Sequence, residues 1–316
     1  MGSSKLAVRE LKRRDVERLL KLVRDSFPRE LEVVGFDPGT VRKQLKLYGV
    51  LKLIQHVTRK PFALFLVGEV DGELVAALSL NRERRAWYIG TVMVAPGHRR
   101  RGYGRAIMEQ ALGVIRAHGG RRAILHVLEE NVPAKGLYES LGFAYFEREV
   151  HLLREPPAGE EIPLPKGHAL KRIPLLDPQA AQLIHASLEP QSAEVYGPPQ
   201  LPPWYLQPLA RRQPGVREQY AVLRGGRWIG IYTFNAQFRE RGAAAVRISL
   251  LPEGRGKGVE EALLSLALRR ARELGCPRLL TRADERNAAL LAGCERLGFE
   301  KLYVMEGMHC ELRPRT

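Results

Sequence analysis

The chain has 316 residues, 45% hydrophobic and 27% charged, with a formal net charge of +16 and a pI near 10.1. This is the composition of a globular protein long enough for two cores. No apolar run approaches the roughly 20 residues a bilayer crossing needs, and Met1–Ser4 carry no hydrophobic stretch, so neither a membrane span nor a secretory signal is expected and a cytoplasmic location is. Three cysteines without a C-x-x-C pair argue against a disulfide framework and against zinc, and no metal is expected. Up to Arg154 there are 28 basic and 17 acidic residues (+11), and beyond it 23 and 18 (+5). The positive excess attracts anions, whether nucleotide-bearing cofactors, acidic substrates or nucleic acid, without choosing among them.

Residues 6–10 read as a strand, and 15–26 as a helix with Val16, Leu19, Leu20 and Val23 on one face. A second helix is expected near 38–48. Residues 62–70 and 74–81 form a hairpin around Asp71-Gly72, followed by a strand over 87–94 and a helix over 102–117. A strand at 123–128, a short helix at 133–141 and one or two strands up to 153 complete the unit. Residues 155–167, rich in Pro and Glu, read as an exposed linker.

The pattern then repeats. Pro96-Gly97-His98-Arg99-Arg100-Arg101-Gly102 resembles Pro252-Glu253-Gly254-Arg255-Gly256-Lys257-Gly258, an offset of 252 − 96 = 156. Leu141-Gly142-Phe143 and Leu297-Gly298-Phe299 keep that offset, as do Asn131 and Asn287. The hairpin at Asp71-Gly72 matches Gly225-Gly226 at 225 − 71 = 154. A repeat of this length is a duplicated domain: 1–154, a linker at 155–167, and 168–316. Strands and helices in this mixture predict a central sheet with helices packed on it.

The chemistry concentrates where the strand ending Thr91-Val92-Met93-Val94 runs into a basic, glycine-containing turn that opens a helix at Tyr103. Glycines let main chain approach a ligand, a helix N-terminus offers N–H groups to phosphate, and arginines add charge-assisted contacts. Arg99-x-x-Gly102-x-Gly104 and Asn131-x-x-Ala134-x-x-Leu137-Tyr138-Glu139-x-x-Gly142-Phe143, in this order, resemble the acyl-CoA signatures of the GNAT superfamily of N-acetyltransferases.

The resemblance implies an α/β (α+β) fold of two tandem GNAT-like domains, each a mixed, mostly antiparallel sheet flanked by helices. It implies acetyl-CoA as acyl donor and an amine-bearing small molecule or protein as acceptor. The main chain of Val92, Met93 and Val94 would pair with the pantetheine arm, the Val94 N–H polarising the thioester carbonyl. N–H groups of Arg100, Arg101, Gly102, Tyr103, Gly104 and Arg105 would hold the pyrophosphate, and Asn131 would meet the cofactor arm. Tyr138 would protonate the departing thiolate. His126, five residues before Asn131, would relay the amine proton, with Glu83, Glu129 and Glu130 as rivals. Packing alone for Tyr138, and a hydrogen-bonded structural role for His126, are the competing readings. His98 reads as a surface residue. Residues 27–59, with Pro28, Phe36, Pro38, Tyr48 and His56, would cover the acceptor groove.

The second copy departs at each decisive position: Glu260 stands where Gly104 does, Arg282 at His126, Gly293 at Leu137 and Cys294 at Tyr138. It reads as a degenerate domain, with bracing, homodimerisation or walling the acceptor site as open roles. The alternative function is a non-catalytic acyl-CoA-binding or nucleic-acid-associated protein. A lesser one is an aminoacyl transferase, for which the intact loop is not needed.

Overall fold

The computed structural model describes residues 5–26, 63–83, 86–199, 201, 207, 215–236 and 242–312. The expected helix at 38–48, the groove segment 27–59 and the Glu83 side chain lie outside the described residues. No helix among the described residues is long and apolar enough to cross a membrane.

The chain forms two compact units. The first is 1–145 together with 307–316, and the second is 146–306. The first opens with β1 (Ala7–Glu10) and α1 (Val16–Ser26), followed by β2 (Ala63–Val70), β3 (Glu73–Glu83) and β4 (Ala86–Val94). Then come α2 (Tyr103–Ala117), β5 (Arg122–Leu128), α3 (Val132–Ser140) and the start of β6 (Ala144–Arg154). Strands β1 to β4 pair antiparallel in chain order, and β5 joins β4 parallel. The β2–β3 turn is tight because Asp71 (φ +49°) and Gly72 (φ +81°) both take the left-handed conformation that matches the twist of a hairpin.

Two faces bury different sets. Val16, Leu19, Leu20 and Val23 of α1 cluster with Val67, Leu74, Ala77 and Met93 on one side of the sheet. On the other, Ile107, Met108, Ala111 and Ile115 of α2 meet Leu78, Leu80, Trp87, Ile89, Leu125 and Val127. That second core also contains Met308, Cys310 and Leu312 from the far end of the sequence, all nearly inaccessible.

The second unit contains β7 (His168–Arg172), α4 (Pro178–Ala186), α5 (Pro190–Tyr196), β8 (Val216–Arg224), β9 (Arg227–Ala236) and β10 (Ala244–Leu250). It continues through α6 (Val259–Glu273), β11 (Leu279–Asp284), α7 (Ala288–Arg296) and residues 300–306 of β12 (Glu300–Glu311). Strands β7 to β10 repeat the antiparallel succession and β11 joins β10 parallel. Beyond β11 lies β6, antiparallel, from Asp284↔Glu149 to Leu279↔Arg154. Leu152 of β6 accordingly belongs to this unit's core.

The unit boundaries therefore differ from the expected 1–154 and 168–316. The reason is hydrogen bonding: the strand after α3 finds its partner on β11, while residues 307–311 lie beside β5, with the Leu312 N–H donating to Arg121 O at 2.7 Å. The expected linker is also more than a spacer. It lies inside the second unit, where the Ser265 hydroxyl on α6 donates to Glu160 O (2.7 Å) and accepts from the Ile162 N–H (2.9 Å), and Pro157 is buried.

One ion-pair network fastens the start of the first unit. Arg9 donates to Asp15 at 2.6 and 2.9 Å and to Glu69 at 2.7 and 3.0 Å, and Arg18 reaches Glu69 at 3.1 Å. The Asp15 side chain is fully buried and also accepts from the Lys12 N–H. Hydrogen bonding to Arg9 holds both carboxyls below their usual range. Depressed carboxylates stabilise above their unfolded pKa of about 4, and that contribution vanishes as pH falls through the folded values. Arg9→Met should lower the unfolding free energy at pH 7 by about 2–3 kcal/mol. In urea titrations its deficit relative to wild type should shrink as pH falls through the lowered folded-state values of Asp15 and Glu69 and both become protonated. Deleting residues 307–316 should leave the first unit without its Met308–Leu312 packing, seen as loss of near-ultraviolet dichroism and of cooperative melting.

Candidate active site

Strands β4 and β5 pair at only two positions, Trp87↔Ala123 and Tyr88↔Ile124. Past these they carry no further register pairs, so the ends 89–94 and 125–128 leave a cleft in the sheet. A continuous sheet would have paired these two segments main chain to main chain.

The β4 wall carries a bulge. Opposite β3, Ala77 pairs with Met93 but Ser79 pairs with Gly90, so Thr91 and Val92 together face Leu78. Thr91 sits at φ +51°. A bulge re-aims the main chain after it, here Val92, Met93 and Val94.

After β4 the chain makes a short 3-10 turn (Pro96–His98), and Arg99 Nε donates back to Val94 O at 3.1 Å. Arg100 (φ +64°) and Gly102 (φ +81°) are left-handed, and no side chain caps α2 at Gly102. Arg99, Arg100, Arg101 and Arg105 are exposed around this turn. Arg105 is anchored by Ser140 Oγ at 2.6 Å and Glu109 at 3.5 Å. Alternating left-handed residues, an uncapped 15-residue helix and four guanidiniums give this turn the chemistry to attract an anion. Gly104 leaves room in its first turn: a Cβ there would come within 3.3 Å of Leu137 Cδ2.

Tyr138 on α3 is 6% exposed and joins the α2-side core, its ring 6.0 Å from Phe143. Burial, with a smaller effect of Tyr88, pushes its hydroxyl up to about 12. It thus holds its proton throughout the neutral range. His126 is half-buried on the other face of β5 from core residues Leu125 and Val127, with its ring 5.6 Å from that of Tyr88. Tyr88, which sequence reasoning passed over, therefore stands near both candidate proton-transfer groups. Its signal was its place in the β4 alternation between core residues Trp87 and Ile89.

The other candidates divide. Asn131 caps α3, its side chain accepting from the Ala134 N–H at 3.3 Å. Asn287 does the same for α7 at 3.2 Å, so this asparagine has a folding role in both copies. Glu129 and Glu130 occupy the turn after β5, with Glu129 O accepting from Lys135 Nζ. His98 lies 4.0 Å from Glu73. No group of three or more metal-ligating side chains occurs among the described residues.

The second unit supplies an internal comparison. Strands β10 and β11 also pair at just two positions, so the cleft is retained. Strand β10 pairs with β9 without interruption from Ala244↔Ala236 to Leu250↔Gly230, so the bulge is absent. Between the matched ends, Trp87 to Val94 takes seven steps (94 − 87) and Ala244 to Leu250 takes six (250 − 244). The turn keeps the arginine anchor, Arg255 Nε donating to Leu250 O, but here three successive residues, Gly256, Lys257 and Gly258, are left-handed. It is filled from within: both oxygens of Glu260, 1% exposed, accept from the Gly256 N–H at 2.9 Å. The carboxylate takes the place that an anion would have at that N–H. Gly293 lies beside it: a Cβ at 293 would be in ordinary contact with Glu260 Cβ at 3.6 Å. Glycine and bulk have changed places between Gly104/Leu137 and Glu260/Gly293.

Further polar side chains of this unit pair with one another along β11 and β6. Arg282 pairs with Glu149 at 2.8 Å, and Tyr196 donates a short hydrogen bond to Glu147. Cys294 is fully buried, which pushes its thiol up to about 12.

Known proteins bear on this geometry. The Acetyltransferase (GNAT) family model matches residues 16–143 and 182–299, and the chain belongs to that family. A mycothiol acetyltransferase of Streptomyces coelicolor is 28% identical over 233 residues, covering 66% of this chain and 66% of the relative. A streptothricin acetyltransferase of Streptomyces lavendulae is 36% identical over 83 residues, 26% of this chain and 44% of the relative. The chain thus spans less than two thirds of the length of these relatives. Among solved structures, a tandem GNAT protein from the clavulanic acid biosynthesis pathway superposes with a TM-score of 0.66 at 18% identity, covering 99% of this chain and 100% of that one. A GCN5-related N-acetyltransferase from Sphaerobacter thermophilus gives 0.64 at 19% identity, covering 98% and 97%. These two share the fold.

Moving the second unit's plug into the first tests the cradle. The double variant Gly104→Glu/Leu137→Gly should weaken coenzyme A binding roughly 100-fold in calorimetry, because a tethered carboxylate competes with and repels the diphosphate. Unchanged affinity would show that the turn does not contact the ligand.

Proposed function

We propose that the first unit binds acetyl-CoA in the β4–β5 cleft and transfers its acetyl group to a primary amine by direct attack. The observation that carries this reading is the contrast between the two turns. The same arginine- and glycine-containing bend is open at Gly102–Gly104 and closed by Glu260 in the second copy.

In this reading the diphosphate rests on the main chain of Arg100–Arg105, with Arg99–Arg101 and Arg105 supplying charge. The pantetheine arm lies along Val92–Val94, and the Val94 N–H faces the thioester oxygen as negative charge develops on it. The acceptor nitrogen attacks the carbonyl carbon, forming C–N as C–S breaks. The proton lost by the amine goes to His126 or to water it orders, and Tyr138 gives its proton to the thiolate sulfur. Its raised pKa keeps that proton available until the sulfur acquires charge. Asn131 supports the site through the start of α3, with its amide toward the cofactor arm. No covalent enzyme intermediate is needed. The second unit has a degenerate, structural part in this scheme.

The names of the relatives make the unacetylated forms of mycothiol and streptothricin the first acceptors to try. The test is release of coenzyme A from acetyl-CoA across an amine panel. Tyr138→Phe, which keeps the ring packing, should lower kcat by about 100-fold while leaving coenzyme A affinity within about twofold. With wild type, the rate should rise as the amine deprotonates and show no descending limb from Tyr138 below about pH 12. Full activity of the Phe variant would remove the acid role. Failure of wild type to take up coenzyme A would remove the whole reading.

A further inference from the structure

Thr91 is out of keeping with its strand. It is a β-branched residue at φ +51°, a region that a branched Cβ strongly disfavours and that persists only where surrounding structure over-determines it. Two neighbours do so. The Thr91 hydroxyl lies 3.1 Å from the hydroxyl of buried Ser79 on β3, a hydrogen bond in either direction. Gly90, paired with Ser79, leaves the space for it, since a Cβ at 90 would come within 2.9 Å of Ser79 Oγ. The second unit shows the strand without this arrangement. Thr233 matches Ser79 at the hairpin offset, 233 − 79 = 154, but faces Arg247. Strand β10 contains no glycine, has no left-handed residue and keeps regular pairing.

We propose that Ser79 and Thr91 are positioning residues for the acyl donor. Their hydroxyl pair holds the left-handed turn at Thr91, and with it the direction of the Val92–Val94 main chain along the cleft. A hydroxyl pair suits this role because it fixes a turn through side chains and leaves the following N–H groups for the ligand. The inference rests on the donor-binding reading above, and concerns a conformation that can also be measured without ligand.

The experiment combines backbone NMR of residues 90–94 with steady-state kinetics in acetyl-CoA, on wild type, Ser79→Ala, Ser79→Thr, Thr91→Val and Thr91→Gly. Ser79→Ala and Thr91→Val should move the carbon shifts and HN–Hα coupling of residue 91 from left-handed toward extended. Each should raise KM for acetyl-CoA about tenfold with a smaller change in kcat. Ser79→Thr, which keeps the hydroxyl, should recover most of that loss. Thr91→Gly, which takes positive φ freely, should lose less than Thr91→Val. If Ser79→Ala keeps residue 91 left-handed with wild-type KM, the proposal is wrong. Equal losses in Thr91→Gly and Thr91→Val, in step with falling melting temperatures, would also overturn it by showing mere destabilisation. Should wild type bind no coenzyme A, the donor reading fails, and the residue-91 shifts alone still decide whether the hydroxyls hold the turn.

Discussion

Two residue pairs join β4 to β5, and the cleft that follows governs the rest of the first unit. A sheet that stops pairing in its own middle exposes main-chain donors and acceptors that must be satisfied by something else. The structure holds that opening from three sides: the core of α2 beneath it, the bulge at Thr91–Val92 on one wall, and Tyr138 on α3 near the other. The turn at Arg99–Gly104 starts where the β4 wall ends, so an anion cradle and an unsatisfied strand edge are continuous with each other. A ligand suited to both is long, extended and hydrogen-bonding along one part and anionic at the other.

The duplication lets the molecule act as its own comparison. Both units keep the splay, the hairpin and the asparagine cap, which are features of folding. They part at the bulge, the turn's occupant and the residue on the short helix, the places to which the proposed function assigns binding and chemistry. In the second unit side chains meet local partners: Glu260 at the Gly256 N–H, Arg282 with Glu149, Tyr196 with Glu147. Such self-satisfaction is what a fold needs once no ligand completes its polar groups.

The path of the chain adds a constraint. Because the first unit's second core closes with Met308, Cys310 and Leu312, it is completed by the last described part of the sequence. Its packing is therefore non-local, with the whole of 146–306 synthesised in between. A single-domain view of residues 1–154 would assign β6 to the wrong core.

Much of this was legible beforehand. Periodicity located α1, α2, the hairpins and β5, because one-sided burial writes a period of 3.6 or 2 into the sequence. The constant offset of 156 revealed the duplication, and Arg99-x-x-Gly102-x-Gly104 located the turn, where Gly102 takes a left-handed conformation that glycine adopts without strain. Tertiary structure alone decided which strand β5 and β11 would take as neighbour, since pairing is chosen among distant segments of similar hydrophobicity. It alone showed the Thr91 bulge, a one-residue surplus visible only once both strands are in register. It also showed Glu260 bonded to the Gly256 N–H, because the N–H that a carboxylate reaches depends on its rotamer.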